Sequence, residues 1–202
     1  MKVILVGNGS SVMDNQMGEY IDSNFDLVYR INRFKTSGFE KYVGSRVDGW
    51  FLADTGVQWL HNPTTEVEGS MRFKEFEYIF FYMPKFKYNP SRLPLTETIQ
   101  LLPISVEDKI SFEMETANMS LSPHWPTTGL VAIEFLLNNY NEIYTYGFDS
   151  QSDIYKYIHY YDEGDKDRLT ENYKKPRNDH DYNKEKEYLD LLRKNKKVID
   201  IV

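Results

Sequence analysis

Met1 to Ser11 read MKVILVGNGSS. Val3 to Val6 form a short apolar run with no polar alternation, which reads as a strand buried on both faces, the habit of a parallel sheet. The residues that follow, Gly7 to Ser11, are small enough for a backbone to approach a phosphate closely. A dinucleotide fingerprint would need a third glycine at position 12, and Val12 stands there, so the pattern is broken. Asn8 directly after the strand has two readings: an amide that bonds a phosphate or ribose without adding charge, or a turn former beside Gly9. The whole apolar run is far shorter than the roughly 20 residues of a membrane span.

Similar runs recur at Leu27–Ile31, Trp50–Ala53, Tyr78–Tyr82, Ile143–Tyr146 and Val198–Val202. Between them the spacing predicts helices at about Asp14–Ile21, Leu95–Leu102, Gly129–Asn138 and Asn183–Lys194. In the third, Leu130, Ile133 and Leu137 return every three or four residues, and Thr127 or Thr128 supplies an N-cap oxygen. In the fourth, Tyr188, Leu191 and Leu192 share a face, with Arg193, Lys194, Lys196 and Lys197 at the end where the dipole favours cations. Strands alternating with helices predict an α/β fold: a single Rossmann-like domain over residues 1–202, with a mostly parallel central sheet flanked by helices. Such sheets bind ligands beyond the carboxyl ends of their strands. The polar, tyrosine-rich stretch from Asp149 to Asp181 is expected to form an active-site flap.

Composition narrows the function. A chain of 202 residues with 41% hydrophobic and 27% charged residues can bury a core without staples. Cysteine is absent, which excludes a disulfide framework, a thiolate nucleophile and cysteine-based zinc sites. A net charge of −7 argues against nucleic acid as a partner, because phosphate backbones are held by clustered lysine and arginine. The chain is expected to be soluble and cytoplasmic, at most peripheral to a membrane. Arg193 to Lys197 reads first as a solvated helix end and second as a contact for an anionic membrane carrying a glycolipid.

Several residues can carry chemistry. Arg30 and Asn32 close the second strand beside the first loop, so Asn8 and Asn32 are placed to face one ligand; alternatively Arg30 pairs with Asp22 or Asp26 and Asn32 only turns the chain. Pro126 to Leu130, PTTGL, sets hydroxyls and a glycine at the mouth of a helix, where free N–H groups cradle anions or simply start the helix. His159 lies in HYYD, and His180 stands five residues before Glu185. An imidazole of ordinary pKa, roughly 6.5, can take a proton at neutral pH, and a nearby carboxylate would orient it; the bland reading is a solvated loop histidine. His61, His124, His159 and His180 are too scattered for a zinc motif, so no metal site is expected. His124 reads as structural.

Taken in order, these strings resemble the sialylmotifs of glycosyltransferase family 29, the animal-type sialyltransferases. VGNGSS with IDSNFDLVYRINR and GFEKYVGSR resembles the long motif, PTTGL with YGFD the short motif, HYYD motif III, and His180 to Glu185 the very short HxxxxE motif. Bacterial sialyltransferases of family 42 share related features and come second. The resemblance implies a GT-A-like, Rossmann-like variant without a DxD metal site, working by inversion and without a cofactor. It implies that Asn8, Gly9, Ser10, Asn32, Thr127, Thr128 and Gly129 hold a CMP-sialic acid donor, that His159 stands near its phosphate, and that His180 is the general base. The acceptor would be a hydroxyl of an oligosaccharide or glycolipid. Three other readings stand beside it: a CMP-Kdo-dependent transferase of the same fold, a non-catalytic CMP- or glycan-binding module, and, disfavoured by Val12, a nucleotide-dependent oxidoreductase.

The chain departs from the family pattern in places. Animal members join long and short motifs by a disulfide, which packing must replace here. Their membrane anchor and stem have no counterpart in these 202 residues. Motif III runs into Asp162 and Glu163 where a glutamate is usual, and the middle region is shortened.

Overall fold

The opening strand becomes an inner strand of the sheet. The computed structural model describes residues 1–53, 78–85, 89, 91, 99–149, 159–161 and 180–202. Among these, β1 (Val3–Val6), β2 (Leu27–Ile31), β3 (Gly49–Ala53), β4 (Tyr78–Tyr82), β5 (Ile99–Leu101), β6 (Ile143–Tyr146) and β7 (Val198–Asp200) form one sheet in the order β5-β4-β3-β2-β1-β6-β7. Every pairing is parallel. The helices are α1 (Gly18–Asn24), α2 (Glu40–Val43), α3 (Ser105–Thr116), α4 (Thr128–Asn139) and α5 (Tyr182–Lys194), with a 3-10 turn at Ser10–Asp14.

Alternation along β1 shows why its whole run is apolar. Val3 and Leu5 point into a core shared with Ile110 and Met114 of α3, Leu130, Ile133 and Leu136 of α4, and Leu192 of α5. Ile4 and Val6 point the other way, onto Val12, Ile21 of α1 and Val43 of α2. A strand between two helical layers has no wet face, so an unbroken apolar run suits it. The helices after β1 and before β7 therefore lie on opposite faces, which makes the gap between β1 and β6 the point where strand order reverses, the usual crevice for a ligand.

That crevice begins with close backbone contact. A Cβ on Gly7 would stand 2.5 Å from the Gly147 carbonyl oxygen, and Gly147 itself sits at φ 72, where side chains are disfavoured. The Gly7 and Gly9 amides donate to the carbonyls of Tyr146 and Gly147 at 2.7 and 2.9 Å. Ser11 donates its amide to Asp149 at 2.9 Å, and its hydroxyl bonds the same carboxylate. In this way the loops after β1 and β6 are bonded together in a chain without cysteine.

The structure corrects four expectations. The helix predicted at Leu95–Leu102 contains, in its described part, the edge strand β5, with Ile99 buried against β4 and Gln100 exposed. Leu102 precedes Pro103, which disfavours helical backbone at that residue. Helix α3, not among the expected helices, buries Val106, Ile110 and Met114 on one face. The helix expected at Asp14–Ile21 divides into the 3-10 turn and α1. Arg30 pairs with neither Asp22 nor Asp26: its fully buried guanidinium donates to the carbonyls of Val43, Gly44 and Arg46, while Asp22 accepts the Ser45 and Arg46 amides and Asp26 accepts the Lys2 amide. Of the flap expected at Asp149–Asp181, only Asp149, His159–Tyr161, His180 and Asp181 are among the described residues; Asp162 and Glu163 lie outside them.

Gly7→Ala should force β1 and β6 apart at their ends. A loss of about 1–3 kcal/mol is expected, the usual cost of overpacking, read as a lower urea midpoint with an unchanged slope.

Candidate functional site

Asn8 leaves β1 and turns its amide onto the end of β2. Its Nδ2 donates to Ile31 O at 3.1 Å and to Arg33 O at 2.8 Å, the carbonyls on either side of Asn32. Both partners can only accept, so the amide orientation is settled and Oδ1 points elsewhere. That oxygen is buried and has no hydrogen-bond partner among the described residues. Asn32 stands at φ 47, a left-handed conformation that asparagine tolerates. Its amide donates to Phe51 O at 2.7 Å, its carbonyl accepts the Trp50 indole at 2.6 Å, and its Oδ1 accepts the Ala53 amide at 3.2 Å. Asn32 Nδ2 is thereby left as a donor. Asn32 does turn the chain, and it stands beside Asn8.

The HYYD segment docks on this pair. Tyr160, 1% exposed, donates its amide to Asn8 O at 3.2 Å, and its hydroxyl bonds both backbone groups of Lys35, at 2.9 Å from the amide. Tyr161 donates its hydroxyl to Arg33 O. His159 stacks on Tyr161 with ring centroids 5.1 Å apart and planes within 1°. Two anchored tyrosines thus hold the imidazole beside the ends of β1 and β2.

PTTGL enters from the other side. Thr127 is the N-cap of α4, its hydroxyl oxygen accepting the Leu130 amide at 3.2 Å. Gly129 is packed so closely that a Cβ would meet Phe148 at 3.1 Å and Ile31 at 3.6 Å, which places the mouth of α4 against the end of β2. Thr128 is 6% exposed. Gly9 is crowded as well: a Cβ there would collide with the Asp149 carboxylate, and Ser10 Oγ lies 3.5 Å from Asp149 Oδ2. The YGFD carboxylate therefore occupies the hydroxyls of the first loop.

His180 precedes Asp181, which caps α5 by accepting the Lys184 amide at 3.1 Å. Its Nδ1 lies 2.8 Å from Trp125 O. A carbonyl only accepts, so Nδ1 carries a proton, and in the neutral form of the ring Nε2 is then the basic nitrogen. The aromatic rings of Trp125 and Tyr182 meet the imidazole edge-on at 5.9 and 5.8 Å. Glu185 has a different task from the ring-orienting carboxylate expected of it: its two oxygens accept the Thr127 amide and hydroxyl, each at 2.7 Å. Burial pushes the Glu185 carboxyl up to about 7; the Thr127 bonds oppose the shift and nearby Asp181 adds to it.

These contacts form one series: His180 to Trp125, Glu185 to Thr127, Gly129 to Ile31, Ile31 and Arg33 to Asn8, Asn8 to Tyr160. Residues separated widely in the chain meet beyond the carboxyl ends of the strands. Sequence reading missed Glu185 as a partner of Thr127 and Tyr160 and Tyr161 as anchors; HYYD and HxxxxE showed the residues but not what they touch. His124 lines a cavity of about 170 Å³ with Glu107, Ser111 and Pro126. Among the described residues no group of three or more histidine, aspartate or glutamate side chains is arranged to hold a metal ion, and no helix is long and apolar enough to cross a membrane.

The fold and the strand-end cluster define an α/β protein with a candidate ligand site near the switch point of a parallel sheet. The profile of glycosyltransferase family 29 (sialyltransferase) matches residues 2–100 and 57–197, and the chain belongs to that family. It is 26% identical over 155 residues to the chicken CMP-N-acetylneuraminate-beta-galactosamide-alpha-2,3-sialyltransferase 1, covering 73% of this chain and 44% of the relative. With the human type 2 lactosamine alpha-2,3-sialyltransferase it shares 26% over 178 residues, covering 79% and 54%. The chain thus spans about half the length of the curated relatives it matches. A crystal structure of a mammalian sialyltransferase has the same fold, with a TM-score of 0.61 and 22% identity over 99% of this chain and 68% of the other. A second, in complex with Gal-beta-1-3GalNAc-ortho-nitrophenol, aligns with a TM-score of 0.59 and 21% identity.

Glu185 gives the protein a pH signature. Its folded value of about 7 lies above the ordinary 4.5, so the folded state holds a proton that the unfolded chain releases between these values. Its contribution to stability is full below about pH 4.5 and is lost as pH rises through about 7. Glu185→Gln should therefore flatten the fall of Tm across that window; parallel Tm profiles for the two proteins would contradict the assignment.

Proposed function

We propose that this chain transfers sialic acid from CMP-sialic acid to a hydroxyl of a galactose-bearing oligosaccharide or glycolipid, by a single inverting displacement without a metal ion. The observation that carries the reading is the bond from His180 Nδ1–H to the Trp125 carbonyl, which leaves Nε2 as the proton acceptor. Family membership and the printed activities of the relatives support the donor and the acceptor class.

In the step itself, the acceptor oxygen forms a bond to the anomeric carbon while His180 Nε2 takes its proton. The bond from that carbon to the phosphate oxygen breaks on the opposite face, and CMP leaves with the electron pair. Charge gathering on the leaving phosphate needs donors already in place, and such preorganisation is often the largest catalytic contribution. Asn32 Nδ2, the Thr128 hydroxyl, the amide of Gly129 and His159 are the donors assigned here. Asn8 Oδ1 is an acceptor, so it suits a ribose hydroxyl or an amino group of the nucleotide and not the phosphate. Gly9 and Ser10 shape that wall of the site beside Asp149.

His180→Ala should lose about 10² to 10⁴ in turnover, the contribution of a general base, while CMP binding by calorimetry persists. The assay pairs CMP-sialic acid and CMP-Kdo with a panel of galactosides in EDTA. Undiminished turnover in the variant would remove His180 from the mechanism. CMP binding by the wild type with no transfer to any acceptor would leave a binding module.

A further inference from the structure

Behind the site, three helices meet around one phenol. Tyr188 lies one turn beyond Glu185 on α5 and is 1% exposed. Its single phenolic proton is shared between two acceptors, Glu113 Oε2 on α3 at 2.6 Å and Glu134 Oε1 on α4 at 2.8 Å. Glu134 is fully buried, and its second oxygen pairs with Lys109 Nζ of α3 at 2.9 Å. Lys109 also donates to Asn138 Oδ1 near the end of α4 at 2.8 Å. Burial, then the charges of Glu134 and Glu113, push the phenol well above its ordinary 10, so it remains a hydrogen-bond donor.

Tyr188 and Glu134 sit inside an otherwise apolar core of Ile110, Met114, Leu130, Ile133 and Leu192, while Lys109 and Glu113 stand half-buried at its rim. Replacing a buried charged group and its partner by apolar residues of equal volume is often neutral or stabilising, so stability alone does not account for the buried Glu134 beside half-buried Lys109. What directional bonds add is a specified geometry. Helix α5 begins beside His180, and α4 begins at Thr127 to Gly129, so the relative placement of these two helices sets where the imidazole stands. The Glu185 bonds to Thr127 tie the helix starts at one point. One tie leaves a pivot; a second, a turn further along, removes it.

We propose that Tyr188 is a positioning residue for His180: its hydroxyl, bonded to Glu134, is the second tie that stops α5 from pivoting on α4 and so keeps the imidazole on the Trp125 carbonyl. The catalytic consequence rests on the reading of His180 as the base; the placement of the ring does not.

Tyr188→Phe keeps the ring and removes only the hydroxyl. The expected result is a fall in kcat of about fivefold or more with donor KM within about twofold, since small misplacements of a reacting group are costly. In 15N-histidine spectra, the His180 signals, identified by their loss in His180→Asn, should shift from the single Nδ1–H tautomer towards a mixture. A purely structural role would lower Tm and leave both kcat and the tautomer unchanged well below the melt, and that result overturns the proposal. Glu113→Ala removes the tie to α3 and leaves the one to α4. It is expected to keep kcat within about twofold and the His180 signals in place, and a loss of fivefold there overturns the α4 tie even where Tyr188→Phe does not fold. Should the wild type transfer no sugar, the tautomer still decides the positioning, and only the role of His180 as base falls.

Discussion

Two short hydrogen bonds, from the Thr127 amide and hydroxyl to Glu185, join the starts of two helices that reach the site from different parts of the chain. One helix start presents PTTGL and the other presents His180. The junction is also conditional, because a carboxyl raised to about 7 changes its protonation near neutral pH. The fixed imidazole is therefore held through a group that is itself responsive to pH.

The other half of the site is held by backbone contact. Gly7 and Gly147 let the loops after β1 and β6 come within hydrogen-bond range, and Asp149 bonds Ser11 across the gap. Asn8 then binds both peptides around Asn32, and Tyr160 and Tyr161 fasten the HYYD segment to the same loops. Where the pattern of animal members implies a disulfide between long and short motifs, this chain has a dense set of ordinary hydrogen bonds and a glycine contact. Each hydrogen bond contributes about 1 kcal/mol, and together they hold the two loops from several sides.

A consistent chemistry follows from which atoms remain. Asn8 Nδ2 is held by two carbonyls, which leaves Oδ1 an acceptor; Asn32 Oδ1 holds one amide, which leaves Nδ2 a donor; His180 Nδ1 is held by one carbonyl, which makes Nε2 the basic nitrogen of the neutral ring. In each case the protein uses one end of a bifunctional side chain to decide what the other end can do. The fold contributes this selection more than it contributes shape, since the same side chains in a flexible loop would sample both orientations.

The chain's own order of residues determined much of this. The apolar runs of β1, β2, β4 and β6 have no wet face, and only a parallel sheet between helical layers satisfies that pattern. The N-cap at Thr127 and the helical spacing from Leu130 onward were equally local. Asn8, Asn32, His159 and His180 could be singled out as polar or titratable side chains at strand ends, in a loop and at a helix mouth, each with a bland reading beside the functional one. Tertiary structure alone decided the rest. The residues at Leu95–Leu102 could be read as a helix because short apolar runs carry both periods, and the edge of β4 turned Ile99–Leu101 into a strand. Arg30 could have sought a nearby carboxylate but found carbonyls inside the fold, and Glu185 bonded Thr127 where sequence distance gave no hint of contact. Periodicity and capping act over a few residues and are written in the chain; partners for hydrogen bonds are chosen by whatever the folded backbone brings within about 3 Å.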